Sequence, residues 1–400
     1  PATFSAITTA GMFLGALVGG IIGDKTGRRN AFILYEAIHI ASMVVGAFSP
    51  NMDFLIACRF VMGVGLGALL VTLFAGFTEY MPGRNRGTWS SRVSFIGNWS
   101  YPLCSLIAMG LTPLISAEWN WRVQLLIPAI LSLIATALAW RYFPESPRWL
   151  ESRGRYQEAE KVMRSIEEGV IRQTGKPLPP VVIADDGKAP QAVPYSALMT
   201  GVLLKRVILG SCVLIAMNVV QYTLINWLPT IFMTQGINLK DSIVLNTMSM
   251  FGAPFGIFIA MLVMDKIPRK TMGVGLLILI AVLGYIYSLQ TSMLLITLIG
   301  FFLITFVYMY VCYASAVYVP EIWPTEAKLR GSGLANAVGR ISGIAAPYAV
   351  AVLLSSYGVT GVFILLGAVS IIVAIAIATI GIETKGVSVE SLSIDAVVNK

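Results

Sequence analysis

The sequence predicts an all-α integral membrane protein, and three observations predict it. Apolar residues make up 56% of the 400 residues and charged residues only 12%, against about 25% charged in an average soluble chain. Charge is also absent in blocks. Eleven stretches carry almost none, near 1–22, 31–50, 54–78, 93–116, 123–140, 207–233, 242–264, 271–289, 291–319, 331–356 and 359–382. Each has about the ~20 apolar residues that cross a ~30 Å hydrocarbon layer, and helices are required because every backbone amide must be paired inside lipid. Finally, of the 28 Lys and Arg residues, all but Arg59, Arg122, Lys240 and Arg340 fall in alternate connections, the long central loop and the C-terminal tail. This is the positive-inside pattern, and it places those connections on the cytoplasmic side of the membrane. The net charge of +8 therefore reports topology, and no nucleic-acid partner is expected.

Taken in order, the first five stretches form an N-terminal bundle over 1–143. Residues 144–204 interrupt the apolar pattern, first with a charged helical segment (Glu158 to Gln173) and then with a proline-rich linker (Gly175 to Val182). The last six stretches form a second bundle over 205–382, and 383–400 is a tail. The four cysteines, Cys58, Cys104, Cys212 and Cys312, are scattered through spans without a C-x-x-C pair, and one histidine is too few for a metal site. They read as small packing residues, and no metal or cofactor is expected.

The two halves repeat each other. Asp24-Lys25-x-Gly27-Arg28-Arg29 is matched 241 residues later by Asp265-Lys266-x-Pro268-Arg269-Lys270. Glu79-x-x-Pro82-x-x-x-Arg86-Gly87 is matched 242 residues later by Glu321-x-x-Pro324, with Arg330-Gly331 following. Two motifs repeated in order at nearly one offset indicate a duplicated helix bundle, the plan of one class of secondary transporter.

These residues carry a specific resemblance. Gly20-x-x-x-Asp24-Lys25-x-Gly27-Arg28-Arg29 resembles the signature loop of the major facilitator superfamily, and Arg59-x-x-x-Gly63-x-Gly65-x-Gly67 resembles its fourth-helix motif. Pro144-Glu145-Ser146-Pro147-Arg148-Trp149-Leu150 and Glu383-Thr384-Lys385-Gly386 are similar to the motifs that close the two halves in its sugar-porter and organic-ion branch. The resemblance covers the whole chain and implies two pseudo-symmetric bundles of six helices. The signature loop follows helix two in the family but the first stretch here, so the resemblance implies that helix one lies outside these residues and that the stretches are helices 2 to 12. It further implies a multi-pass inner or plasma membrane protein, with the loops after helices 2, 4, 6, 8 and 10 and the C-terminus cytoplasmic. Contacts among Asp24, Arg28, Arg29, Glu79, Arg86, Glu145, Arg148, Asp265, Glu321 and Arg330 would close that side and break as the bundles rock.

Two charges inside spans stand out, because such charges are costly and usually face a partner or a cavity. Arg59 lies about 8 Å from the outer end of its span; it is a candidate for coupling, or it snorkels to the interface. Arg340 lies ~13 Å deep, too far to snorkel. It shares a helical face with Asn336, Gly343 and Pro347, and its planar fork suits a carboxylate. The alternative pairs it with a buried acid from another helix, although no acid in the visible spans lies at a matching depth. The stretch Asn336 to Gly343 also looks like the helix-eleven pattern of organic-anion transporters and of bacterial niacin permeases. Polar and aromatic faces elsewhere suit a compact planar ligand: Ser94, Asn98, Tyr101 and Ser105; Asn218, Gln221, Tyr222 and Asn226; Tyr308, Cys312 and Ser315, with Tyr310 and Tyr313 beside them. Such groups need hydrogen-bond partners, which either a ligand or a neighbouring helix supplies. Glu36 and His39, three residues apart on one span, resemble a proton relay but read as structural.

The reading is a secondary transporter working by alternating access, whose substrate is a small organic anion, an aromatic monocarboxylate such as nicotinate. Its partners are that solute, protons and the bilayer, and it acts as a monomer. No G-x-x-x-x-G-K-[ST] loop occurs, which argues against an ATP-driven pump. The competing readings are a proton-coupled sugar or polyol porter, a transporter-like sensor, for which the cytoplasmic segments are short, and a membrane enzyme, for which no acid–base, nucleophile or metal constellation exists.

Overall fold

The structure, a computed structural model, describes residues 2–80, 86–178, 194–264, 266–324 and 327–385. Among them it is all helix and turn, with no strand. The elements are α1 (Ala2–Thr26), α2 (Arg28–Ala47), α3 (Met52–Tyr80), α4 (Arg86–Asn98), α5 (Ser100–Leu111), α6 (Ala117–Tyr142), α7 (Pro147–Ser152), α8 (Tyr156–Thr174) and α9 (Tyr195–Leu198). They continue as α10 (Gly201–Thr234), α11 (Leu239–Met250), α12 (Gly252–Val263), α13 (Arg269–Ser288), α14 (Met293–Cys312), a π-helical turn (Tyr313–Tyr318), α15 (Val319–Glu321) and α16 (Lys328–Ile380).

Nine helical segments among the described residues are long and apolar enough to cross a bilayer, against eleven expected stretches. The difference has two sources. The stretch near 93–116 forms two shorter helices, α4 and α5, on either side of Trp99. The last two stretches fall within the 53-residue α16, whose helical backbone is broken at Gly358 (φ 65°, ψ −161°). A positive φ is cheap only for glycine, so the break sits where the sequence allows it, between the two expected spans.

The chain divides into two compact units. One comprises Ile7–Arg86 and Trp121–Ala189 and holds most of α1 with α2, α3, α6, α7 and α8. The other comprises Pro1–Ala6, Gly87–Asn120 and Pro190–Lys400. Its boundaries differ from the sequence division at 144–204, because α4 and α5 group with the C-terminal helices. The contacts of α5 with α11 account for this grouping.

In the first unit the helices approach closely through small residues, the usual packing device in lipid. A side chain at Gly63 would strike the Thr8 carbonyl, and one at Gly67 the Met12 carbonyl. On α6, Ile130, Leu131, Leu133, Ile134 and Leu138 are each more than half exposed. A row of this kind is unfavourable against water and costs nothing against lipid tails. In the second unit a continuous apolar core runs through α10 to α16 and encloses Trp323, Tyr308, Tyr310, Tyr313 and Tyr318, each 1% exposed or less.

Candidate substrate site and gate

Four elements of one unit converge on a polar cluster. α5 supplies Tyr101, α10 supplies Gln221 and Tyr222, α14 supplies Tyr308 and α16 supplies Arg340. The rings of Tyr101 and Tyr308 meet edge-on with centroids 5.2 Å apart. Gln221 and the Tyr308 phenol surround the Tyr101 hydroxyl, with Tyr222 in electrostatic range. Arg340 in turn acts on Tyr222. Tyr308 Oη is fully buried and closes no hydrogen bond of good geometry. Arg340 has no carboxylate partner and no hydrogen bond among the described residues. Beside it, the buried Asn218 amide stands against Gly339, where an added Cβ would lie 2.9 Å from Asn218 Nδ2.

The other expected site residues are placed differently. Asn218 Nδ2 donates to Leu214 O at 2.8 Å, Asn98 Nδ2 to Ser94 O at 2.7 Å, and Asn336 Nδ2 to Ser332 O at 2.9 Å. Each amide is thus turned back on its own helix. Tyr313 lies apart from the cluster. It stacks on Tyr318 with centroids 5.0 Å apart and tilts against Tyr310 at 5.7 Å, and its hydroxyl abuts Gly273. One polar residue in this unit was not among those expected to face a ligand: Asn246, whose Nδ2 donates to Ser105 Oγ at 3.2 Å and whose Oδ1 is buried without a partner. An amide inside the apolar stretch 242–264 was the available signal. Arg59 belongs to the other unit, on α3, where it acts electrostatically on His39.

The motif residues build two similar clusters, one in each unit. In the first, Glu145 Oε1 accepts from the backbone N–H of Arg28 at 2.6 Å, of Arg29 at 3.2 Å and of Ser146 at 3.0 Å. A carboxylate thereby caps the N-terminus of α2, where orphan amides and the helix dipole favour negative charge. The Arg29 side chain donates to the Trp140 carbonyl. Gly27 (φ 99°) turns the chain directly under the carboxylate, and no side chain fits there. In the second, Glu383 accepts from the backbone N–H of Arg269 at 2.8 Å, of Lys270 at 3.2 Å and of Lys385 at 3.1 Å. Arg269 also holds Glu321 through Nε at 3.1 Å and Nη2 at 3.2 Å, and Thr384 Oγ1 donates to Glu321 at 2.6 Å. Burial pushes the Glu383 carboxyl up, but the three amides and the Arg269 charge outweigh it and hold the group below the usual carboxylate range.

The sequence predicts a gate contact among Arg28, Arg29 and Glu145, and Glu145 accepts from the backbone amides of both arginines. The sequence reading named Glu321 but did not identify Arg269 and Glu383 as its neighbours in the cluster. Arg330 lies over the Tyr195 ring at 5.2 Å, and Arg148 is exposed on α7. The side chains of Asp24, Glu79 and Arg86, and the whole of Asp265, lie outside the described residues.

The profile of the sugar (and other) transporter family matches residues 2–396. The inner membrane metabolite transport protein YdjE of Escherichia coli strain K12 is 44% identical over 394 residues, covering 98% of this chain and 86% of that protein. The niacin transporter NiaP of Acinetobacter baylyi is 26% identical over 385 residues, covering 96% of this chain and 85% of that protein. Among solved structures, a partially occluded, inward-open form of the xylose transporter XylE from E. coli superposes with a TM-score of 0.76 at 18% identity, covering 97% of this chain and 88% of that one.

Proposed function

The chain belongs to the sugar (and other) transporter family and is a multi-pass membrane transporter with the major facilitator fold; from that premise we propose that it carries a small aromatic monocarboxylate, such as nicotinate, by alternating access. One observation carries this reading. Arg340 is a cation within a membrane span, with no carboxylate and no hydrogen-bond acceptor on it among the described residues, and it stands beside the Tyr101–Gln221–Tyr222–Tyr308 cluster. A charge in that position calls for a partner, and a substrate carboxylate supplies two oxygens for the guanidinium fork. The aromatic rings of Tyr101, Tyr222 and Tyr308 would then face the flat substrate, and the unmet Tyr308 hydroxyl would meet its polar edge. The niacin transporter among the relatives supports the same substrate class. In this reading the basic loops face the cytoplasm, the repeated gate motifs lie on that side, and protons supply the driving force.

A hexose or polyol is the second reading, favoured by the Gln221 and Asn218 amides, which suit hydroxyl groups, and by the family to which the chain belongs. Binding separates the two. Titration calorimetry of the purified chain with nicotinate should give heat in wild type and lose it in Arg340→Ala, with hexose silent in both. Hexose binding that survives Arg340→Ala, with no heat from nicotinate, would establish the second reading.

A further inference from the structure

The reading of this chain as a proton-driven carrier leaves one buried acid unused. Glu36 lies on α2, about 12 Å along the helix from Arg28. It is 8% exposed, and its Oε2 is fully buried with no hydrogen-bond partner. His39 follows three residues later, on the same side of the helix. Its Nδ1 stands 3.4 Å from the Met62 carbonyl of α3, while Nε2 has no partner among the described residues. The helices are pressed together at this level. A Cβ on Gly65 would lie 3.0 Å from the backbone nitrogen of His39 and 3.1 Å from the backbone carbonyl oxygen of Tyr35.

The surroundings of the pair are apolar on most sides. Phe32, one turn before Glu36, meets Phe143 at 5.9 Å, and Ile40 and Met43, on the same stripe, pack with Ala129. That stripe therefore faces α6, which carries no acid or base between Ala129 and Arg141. At the ends of α6 stand Arg141 and Tyr142 on one side and Arg122 on the other, the last donating to Ala47 O. The titratable groups of α3 are Asp53, Cys58, Arg59, Glu79 and Tyr80, of which Arg59 acts on His39. From α1 they are Asp24 and Lys25, at the helix end, and Tyr35 of α2 donates to Gly19 O of that helix.

We propose that Glu36 and His39 form a proton-binding site within the α2–α3–α6 bundle, outside the substrate cluster, and that Arg59 senses its charge. The pair provides what a coupling site needs. Its carboxylate oxygen has no internal partner and can accept a proton. Its imidazole has one nitrogen anchored and one unoccupied, so it can pass a proton on or keep it. In a low-dielectric interior the gain or loss of one proton is felt strongly by a neighbouring guanidinium. Arg59 lies on the helix that packs by close contact on both α1 and α2.

The test uses the full chain in lipid nanodiscs and in proteoliposomes. His39 is the only histidine, so the imidazole signals of ¹⁵N-histidine-labelled protein need no assignment. Glu36→Gln should shift the titration midpoint of those signals and remove one protonated-carboxyl band from the infrared difference spectrum between acid and alkaline samples. In proteoliposomes, wild type should accumulate labelled nicotinate up to about tenfold under a pH gradient of about one unit, the ceiling for one proton per anion. Glu36→Gln and His39→Asn should keep nicotinate exchange between equilibrated compartments and lose this accumulation, and Glu36→Asp should restore part of it, which a packing role would not predict. An unmoved histidine titration with an unchanged carboxyl band overturns the proposal, as does undiminished accumulation in Glu36→Gln. If wild type exchanges no nicotinate, the substrate reading falls while the spectroscopic comparison still decides the proton site.

Discussion

A guanidinium inside a hydrocarbon layer needs a counter-charge, and Arg340 has none within the described chain. A charge-assisted hydrogen bond contributes about 1.5–3 kcal/mol, so Arg340→Ala should weaken nicotinate binding by roughly 10- to 100-fold. Arg340→Lys should recover only part of that loss, because an ammonium cannot form the paired contact of a fork. Tyr308 makes a subtler case. Its hydroxyl is buried without a good partner, so Tyr308→Phe should leave thermal stability unchanged or slightly raised. The same substitution should cost about 1 kcal/mol of nicotinate binding if the ligand is the missing partner. Arg340 was legible in the sequence because a lone charge ~13 Å inside an apolar stretch has few explanations. The surroundings of Tyr313 were not. Tyr313 follows Tyr308 by five residues and so lies on another side of the helix, where it stacks on Tyr318 and tilts against Tyr310.

At the scale of elements, the protein uses one device twice. Glu145 caps α2 and Glu383 caps α13, each by accepting from backbone amides that follow a repeated basic loop. The paired loops were legible as a repeat, and both acidic motifs were visible. Their joining was not, because 117 residues separate Glu145 from Arg28 and 114 separate Glu383 from Arg269. Replacing Glu383 by Gln should cost on the order of 1 kcal/mol, the worth of a cap with its charge. The pH dependence has a definite sign. A carboxyl held below its unfolded value of about 4.3 contributes stability above that pH and loses it as pH falls through the depressed value. Thermal melts of wild type should therefore show an acid-side loss, below about pH 4, that Glu383→Gln partly removes; identical acid limbs would contradict the cap. The crossing of α2 on α3 is a further test at this scale. Gly65→Leu should prevent close packing and sharply lower the yield of folded protein, because the obstacles are backbone atoms that cannot swing aside.

At the scale of the whole molecule, the span pattern was legible because lipid leaves little choice: length, composition and the siting of basic residues all answer to one slab of hydrocarbon. Boundaries inside that pattern were less legible. Trp99 divides one expected span into α4 and α5, and the two last spans run through a single helix broken at Gly358. The grouping of α4 and α5 with the C-terminal helices also escaped the sequence, since it depends on contacts such as Ser105 with Asn246, 141 residues apart. What those contacts assemble is a cluster from four separated elements beside Arg340, a cation with no carboxylate partner among the described residues. Uptake of labelled nicotinate, benzoate and hexose by proteoliposomes, for wild type and Arg340→Ala side by side, tests this most directly. Wild type should take up the two carboxylates and not the hexose, and Arg340→Ala should take up none of the three. Hexose uptake without carboxylate uptake, or carboxylate uptake undiminished in Arg340→Ala, would contradict it.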